Sequence, residues 1–156
     1  MGMFAMQLAK QCGAYVTAVT GASGLPFAKK WGADALIDYV RQPKLPVGTK
    51  YDLIFDLSAK LPYKQATAYM KPKSVYVNPV PTPAQIISTS ILNLVYSQKN
   101  RVLLSKPGDR SIQALLTAVD KGLQIEVSRT FPFTDFAAAY HYAEKGGYIG
   151  KLTLEW

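Results

Sequence analysis

Apolar and polar positions alternate along this chain in two rhythms. Short, near-continuous apolar runs predict strands at Tyr15–Thr20, Ala35–Asp38, Tyr51–Asp56, Ser74–Asn78, Arg101–Ser105 and Leu123–Val127, with a last run at Lys151–Glu155. Runs of this kind suit parallel strands covered on both faces. Helical segments lie between them: Gly2–Cys12, Gly24–Trp31, Lys64–Met70, Pro83–Val95, Ser111–Lys121 and Thr134–Glu144. Gly13, Gly32 and Gly122 stand just past three of these helices, where a left-handed residue closes the last turn. Thr134 suits the N-cap of the last one. Alternation of strand and helix predicts an α/β fold, a doubly wound and mostly parallel sheet. A chain of 156 residues is expected to form one domain, 1–156, with room for a core. Arg41–Lys50, rich in Pro, Gly and Lys, reads as a surface loop. Pro79, Pro81 and Pro83 make a second loop directly after a strand, where a doubly wound sheet places its ligand.

Composition narrows the function classes. No apolar run reaches the roughly 18 residues needed to span a bilayer, and no secretory signal pattern opens the chain. The single cysteine, Cys12, cannot form an internal disulfide, which fits a reducing compartment, and the cytoplasm is expected. One Cys and one His (His141) are too few for a Cys/His zinc site, so no metal is expected. The net charge of +8 raises nucleic-acid or anionic-membrane binding. Its carriers are dispersed, however, through Lys29, Lys30, Arg41, Lys44, Lys60, Lys71, Lys73, Lys99, Arg101 and Lys106. Neither partner is expected. A modest positive field does favour a phosphorylated small molecule.

Several local patterns carry chemistry. Gly2 opens a helix, and a glycine there lets backbone N–H groups and the helix dipole meet a pyrophosphate; the alternative is a plain start-of-chain residue. The first strand ends at Thr20-Gly21-Ala22-Ser23. A carboxylate at such a strand end binds the ribose 2′-hydroxyl of NAD, and neutral or basic groups admit the 2′-phosphate of NADP. No Asp or Glu stands between Val16 and Ala33. Thr20 and Ser23 offer hydroxyls, with Lys29 nearby, although both hydroxyls could instead cap the next helix. Asp56, at a strand end, reads as a carboxylate satisfied by backbone N–H groups rather than as a general base. His141 reads as a structural or exposed helix residue. No Ser–His–acid set or paired carboxylates stand out, so no catalytic residue is assigned.

Three longer motifs point to a family. Gly2-Met3-Phe4-Ala5-Met6-Gln7-Leu8-Ala9, Gly32-Ala33-Asp34-Ala35-Leu36-Ile37-Asp38-Tyr39 and Tyr51-Asp52-Leu53-Ile54-Phe55-Asp56 resemble "G-x-x-A-x-Q-L-A", "G-A-D-x-x-I-D-Y" and "Y-D-x-I-x-D". These belong to the nucleotide-binding half of medium-chain dehydrogenases/reductases of the zinc-independent quinone oxidoreductase type. Met70-Lys71-Pro72-Lys73-Ser74-Val75-Tyr76-Val77 resembles "L-K-P-G-G-x-Y-V", with Lys73-Ser74 at the glycines. Leu57-Ser58-Ala59-Lys60 lacks the glycine the family carries near the adenine. Phe131-Pro132 and Gly150-Lys151-Leu152-Thr153-Leu154 resemble the closing "F-P" and "G-K-V-V-L".

The resemblance implies a Rossmann-like domain lacking the usual first strand and the preceding GroES-like domain. It implies a cofactor, NADPH rather than NADH, held by Gly2, Met3, Thr20, Ser23, Tyr39, Leu57, Asn78 and Pro79. Tyr39 would lie beside the adenosine phosphate, or alternatively pack as a surface aromatic. Asn78 and Pro79 would face the nicotinamide. The implied activity is hydride transfer to a quinone, ketone or enoyl substrate; the alternative is a non-catalytic remnant that binds nucleotide weakly or serves in oligomerisation. A missing central strand leaves open edges. A homo-oligomer is therefore expected, with the gap filled by a partner, an upstream fragment or a rearranged strand such as Lys151–Glu155. Little turnover is expected from the isolated chain.

Overall fold

A computed structural model of the chain describes residues 1–103 and 108–156. The order is α1 (Gly2–Gln11), β1 (Thr17–Thr20), α2 (Leu25–Lys30), β2 (Ala35–Asp38), β3 (Tyr51–Phe55), α3 (Tyr63–Ala66), β4 (Met70–Asn78), α4 (Pro83–Val95), β5 (Lys99–Val102), α5 (Asp109–Asp120), β6 (Val127–Pro132), α6 (Phe136–Lys145) and β7 (Lys151–Glu155). The fold is α/β and Rossmann-like. Every strand pair is parallel, in the orders β1-β2, β3-β4-β5 and β6-β7. Parallel neighbours need a crossover, and α2, α3, α4 and α6 supply them. Among the described residues, β1 and β3 each pair along one edge only. Two compact units result, Met1–Gln42 with Arg110–Trp156, and Pro43–Asp109.

The first unit is tied by polar side chains as much as by apolar burial. Gln7, buried on α1, donates from Nε2 to the carbonyls of Met3 and Gln124, and its Oε1 accepts from the Gln124 N–H at 2.7 Å. Met3, also buried, accepts the Glu126 N–H at its sulfur. The glutamine of the α1 motif is thus a clamp between segments far apart in sequence. Asp34 of the Gly-Ala-Asp motif accepts from the Val16 N–H at 2.7 Å and pairs with Lys10 at 2.8 Å. The Lys10 ammonium, ahead of the Val16 N–H, holds its carboxyl below the usual range.

The strand expected at Leu123–Val127 forms instead at Val127–Pro132. Residues 123–126 are spent elsewhere. The Leu123 N–H closes α5 on the Ala118 carbonyl, Gln124 is held by Gln7, and the Glu126 carbonyl accepts the Lys151 N–H. Nor does Lys151–Glu155 fill a gap in another sheet, because it pairs with β6. Gly150 fixes that pairing. Its φ is +106°, and an added Cβ would lie 2.5 Å from the Glu126 carbonyl oxygen. Thr134 falls inside a 3-10 turn, Phe133–Asp135, and does not cap α6.

In the second unit, Tyr63, Ala66, Met70 and Tyr76 form the core, with Ile54, Leu61, Leu92 and Tyr96 packed on it. The helix expected at Lys64–Met70 is shorter. It ends at Ala66, passes through a 3-10 turn at Thr67–Tyr69 and becomes strand at Met70. The strand expected at Arg101–Ser105 begins at Lys99; Leu104 and Ser105 lie outside the described residues. Ala59 and Lys73 have φ of +55° and +62°. Both fall where the sequence lacks the glycines of the motifs it resembles.

Two substitutions test these backbone arguments by chemical denaturation. Gly150→Ala should cost about 1–3 kcal/mol, because the chain cannot shift away from the Glu126 carbonyl without breaking the β6–β7 register. Lys73→Gly should add about 1 kcal/mol by relieving a left-handed residue.

Candidate functional site

The strands' carboxyl ends share one device. Asp38, Asp56 and Asn78 end β2, β3 and β4 or directly follow them, and each accepts at Oδ1 the N–H two residues on. The acceptances are Val40 to Asp38 at 2.9 Å, Ser58 to Asp56 at 3.0 Å and Val80 to Asn78 at 2.9 Å. Such Asx turns send the chain sharply away from the strand. The loops that leave β2, β3 and β4 are therefore built in the same way, each within its own unit.

In the first unit the structure brings Thr20 and Tyr39 together. β1 and β2 run side by side with Thr20 opposite Asp38, and the Tyr39 N–H donates to the Thr20 carbonyl at 3.1 Å. The Tyr39 ring lies against Gly21, where an added Cβ would sit 3.2 Å from its hydroxyl oxygen. A Cβ at Gly24 would overlap the Thr20 hydroxyl. Both glycines of Gly21-Ala22-Ser23-Gly24 thus make room for neighbouring side chains. The turn and α2 have no side-chain cap, which answers the capping alternative for Thr20 and Ser23. Ser23 is exposed, and Tyr39 is 55% exposed.

Gly2 and Met3 open α1, which has no side-chain cap at its amino end. The Met3 side chain is in the core, so its backbone amide is the part left to meet an anion. Arg41, not singled out in the sequence, lies 3.8 Å from Asp38 through Nε and is almost wholly exposed. Its signal was a basic residue two positions past Tyr39.

In the second unit Asp56 is the hub. Its carboxylate accepts from the Ser58 N–H and hydroxyl, the Leu61 N–H and the Tyr76 hydroxyl. Burial opposes its ionisation, but the hydrogen bonds from Leu61, Ser58 and Tyr76 outweigh that and hold its carboxyl below the ordinary range. Burial, reinforced by the neighbouring carboxylate, pushes the Tyr76 phenol far up. The Tyr76 hydroxyl also donates, at the shorter 2.8 Å, to the Leu61 carbonyl; a carboxylate so engaged and held below its ordinary range is a weak base, and Asp56 reads as a structural group. Leu57 and Pro79 are half-buried at the ends of adjacent strands. Asn78 is buried; besides its turn it donates to Gln85 Oε1 at 3.3 Å. A cavity of about 160 Å³ lies beneath α4, lined in part by Tyr63, Tyr76, Asn78, Gln85 and Asn100. That is smaller than the roughly 300–1,000 Å³ of small-molecule pockets, so it does not hold a dinucleotide.

Zinc does not fit these residues. Cys12 is exposed and His141 faces Glu144 on the open side of α6. No group of three His, Cys, Asp or Glu able to hold an ion occurs among the described residues. No helix among them is long and apolar enough to cross a membrane.

The family model described as zinc-binding dehydrogenase matches residues 31–154, and the chain belongs to that family. Within it the chain is quinone oxidoreductase-like, of the medium-chain dehydrogenase/reductase superfamily. It is 26% identical over 161 residues to the chloroplast envelope quinone oxidoreductase homolog of Arabidopsis thaliana, covering 99% of this chain and 49% of that one. It is 27% identical to the chloroplastic quinone-oxidoreductase homolog of Spinacia oleracea, with the same coverage. The quinone oxidoreductase structure from Coxiella burnetii superposes with a TM-score of 0.79 at 26% identity, over 99% of this chain and 49% of that one. A mycobacterial structure complexed with NADPH shares the fold, with a TM-score of 0.67 at 19% identity, over 98% and 52%. The chain spans about half the length of the curated relatives it matches.

Asp56 makes stability acid-sensitive. Its folded pKa is lowered, so its contribution is complete above the ordinary carboxylate pKa of about 4 and is lost as pH falls through the folded value. Asp56→Asn should therefore cost about 1–3 kcal/mol at neutral pH. In thermal melts the gap between variant and parent should narrow as pH drops from 5 to 2.

Proposed function

We propose that residues 1–156 act as one cofactor-binding domain of an NADPH-dependent reductase whose substrate is a quinone, ketone or enoyl compound. The observation that supports this best is the acid-free end of β1, where Thr20 and Ser23 have no capping task and Tyr39 stands against Gly21 with its ring exposed. A carboxylate at this position would repel a 2′-phosphate, and there is none. Ser23 and Tyr39 offer hydroxyl donors, and Lys29 and Arg41 supply positive charge without a bidentate partner of their own. The relatives named as quinone oxidoreductases support the reaction class.

In this reading the amides of Gly2 and Met3 face the pyrophosphate. Leu57 gives the adenine side an apolar contact. Asn78 does not touch substrate directly; its bonds to Val80 and Gln85 hold the Pro79 loop against the nicotinamide end. The cofactor would supply the hydride when bound, and the protein would position it. The proton that completes the reduction would come from solvent water, since no side chain is assigned to deliver it. The free, exposed Cys12 fits a reducing compartment such as the cytoplasm.

Calorimetric titration should show tighter binding of NADPH than of NADH. Tyr39→Phe should weaken NADPH by about 0.5–1.5 kcal/mol, one hydrogen bond, and leave NADH unchanged. Tighter NADH binding would reverse the cofactor assignment. No binding of either would favour a non-catalytic module.

A further inference from the structure

The cavity of about 160 Å³ beneath α4 has a wall with little to offer water. Tyr63, Tyr76, Leu92 and Val102 contribute rings and aliphatic chains to it. The polar groups beside them are already engaged. The Tyr63 hydroxyl donates to the Gln98 carbonyl at 2.8 Å, the Tyr76 hydroxyl to the Leu61 carbonyl at 2.8 Å and the Ser88 hydroxyl to the Gln85 carbonyl at 3.2 Å. Asn78 accepts from the Val80 N–H and donates to Gln85. A buried water needs about three hydrogen bonds of its own, and a file of waters here would go without most of them.

Asn100 is the exception. It is 6% exposed and stands on the same wall. Asn93 on α4 brackets its backbone, donating to the carbonyl at 2.9 Å and accepting the N–H at 2.6 Å. The orientation of its side-chain amide is fixed as well. The Thr89 hydroxyl gives its proton to the Gln85 carbonyl at 2.7 Å, so towards Asn100 it can only accept, and the atom 3.1 Å away is Nδ2. Oδ1 is the end left over. It is buried and takes no hydrogen bond among the described residues. A buried acceptor without a partner is destabilising, and a donor that reaches it removes that penalty.

We propose that this cavity is a binding site for a small neutral compound of one ring, a monocyclic phenol, whose hydroxyl donates to Asn100 Oδ1. Size sets the first limit: an apolar protein cavity of roughly 150 Å³ holds one benzene ring. The wall sets the second, since its engaged polar groups leave an apolar body as the best occupant. Charge sets the third. The Asp56 carboxylate is bonded to the Tyr76 hydroxyl at 3.2 Å and disfavours an anion, while Lys64 stands exposed in solvent. A quinone carries acceptors only and would leave Oδ1 unpaired, so this is a different site from that of the proposed reductase substrate. Asn78 and Gln85 line the cavity and also hold the Pro79 loop, so an occupant touches the residues that set that loop. The assignment uses the second unit alone and stands whichever dinucleotide the chain prefers.

An NMR titration of the isotope-labelled full chain tests it with three probes: phenol, toluene (the same ring with no donor) and benzoate (the same ring with a negative charge). Phenol should shift the Asn100 side-chain amide and the backbone amides of Ser88 and Val102, with half-saturation near about 1 mM. Toluene should bind about tenfold more weakly, the equivalent of one hydrogen bond, and benzoate should leave these resonances in place. Ser88→Leu, which fills the cavity from α4, should abolish the phenol shifts with the circular dichroism spectrum retained. Val102→Phe fills it from β5 and should do the same. Parent resonances that stay fixed up to about 10 mM phenol would overturn the proposal, whatever the variants do. So would phenol shifts that persist in a folded filled variant, or equal affinity for phenol and toluene, which would leave Asn100 without a part in binding.

Discussion

Parallel strands deliver their chain to one end, and there it must turn sharply aside. Asp38, Asp56 and Asn78 meet that constraint in the same way, each taking the N–H two residues on. Asp56 goes further and also gathers Leu61 and Tyr76, joining the loop after β3 to the core strand β4. These turns decide where the loops lie, and the loops carry Tyr39, Leu57 and Pro79. Within each unit, the candidate residues stand where its own strands end.

The strand and helix order was legible because apolar runs and helical periodicity are local signals. The parallel fold followed from their alternation. Long-range competition was not legible. Nothing in Leu123–Val127 indicates that Gln7, far away in sequence, will hold Gln124, or that Lys151 will take the Glu126 carbonyl. Those bonds move the strand to Val127–Pro132. In the same way, Ala59 and Lys73 look unremarkable in sequence, yet both adopt a left-handed conformation.

The candidate site was legible in part. The missing carboxylate at the end of β1 is a statement about sequence, and the structure adds that Thr20 and Ser23 are not diverted into capping. The contact of Tyr39 with Gly21 needed coordinates. Met3 and Asn78 show the limit of motif reading, since both side chains are buried and engaged, leaving the Met3 amide and the Asn78-held loop as what a ligand would meet. Periodicity placed α4 correctly but could not show which face points outward. That orientation is set by Asn100, whose neighbours on α4 are polar.

The proposed function puts a nicotinamide dinucleotide at the amino end of α1 and at the turns that close the parallel strands. Hydrogen–deuterium exchange with and without saturating NADPH tests it residue by residue. Exchange should slow at Gly2–Met3, at Gly21–Ser23 and Tyr39, and at Leu57 and Val80, with α5 and α6 unaffected. Exchange that is unchanged at those amides, or slowed only elsewhere, would contradict it.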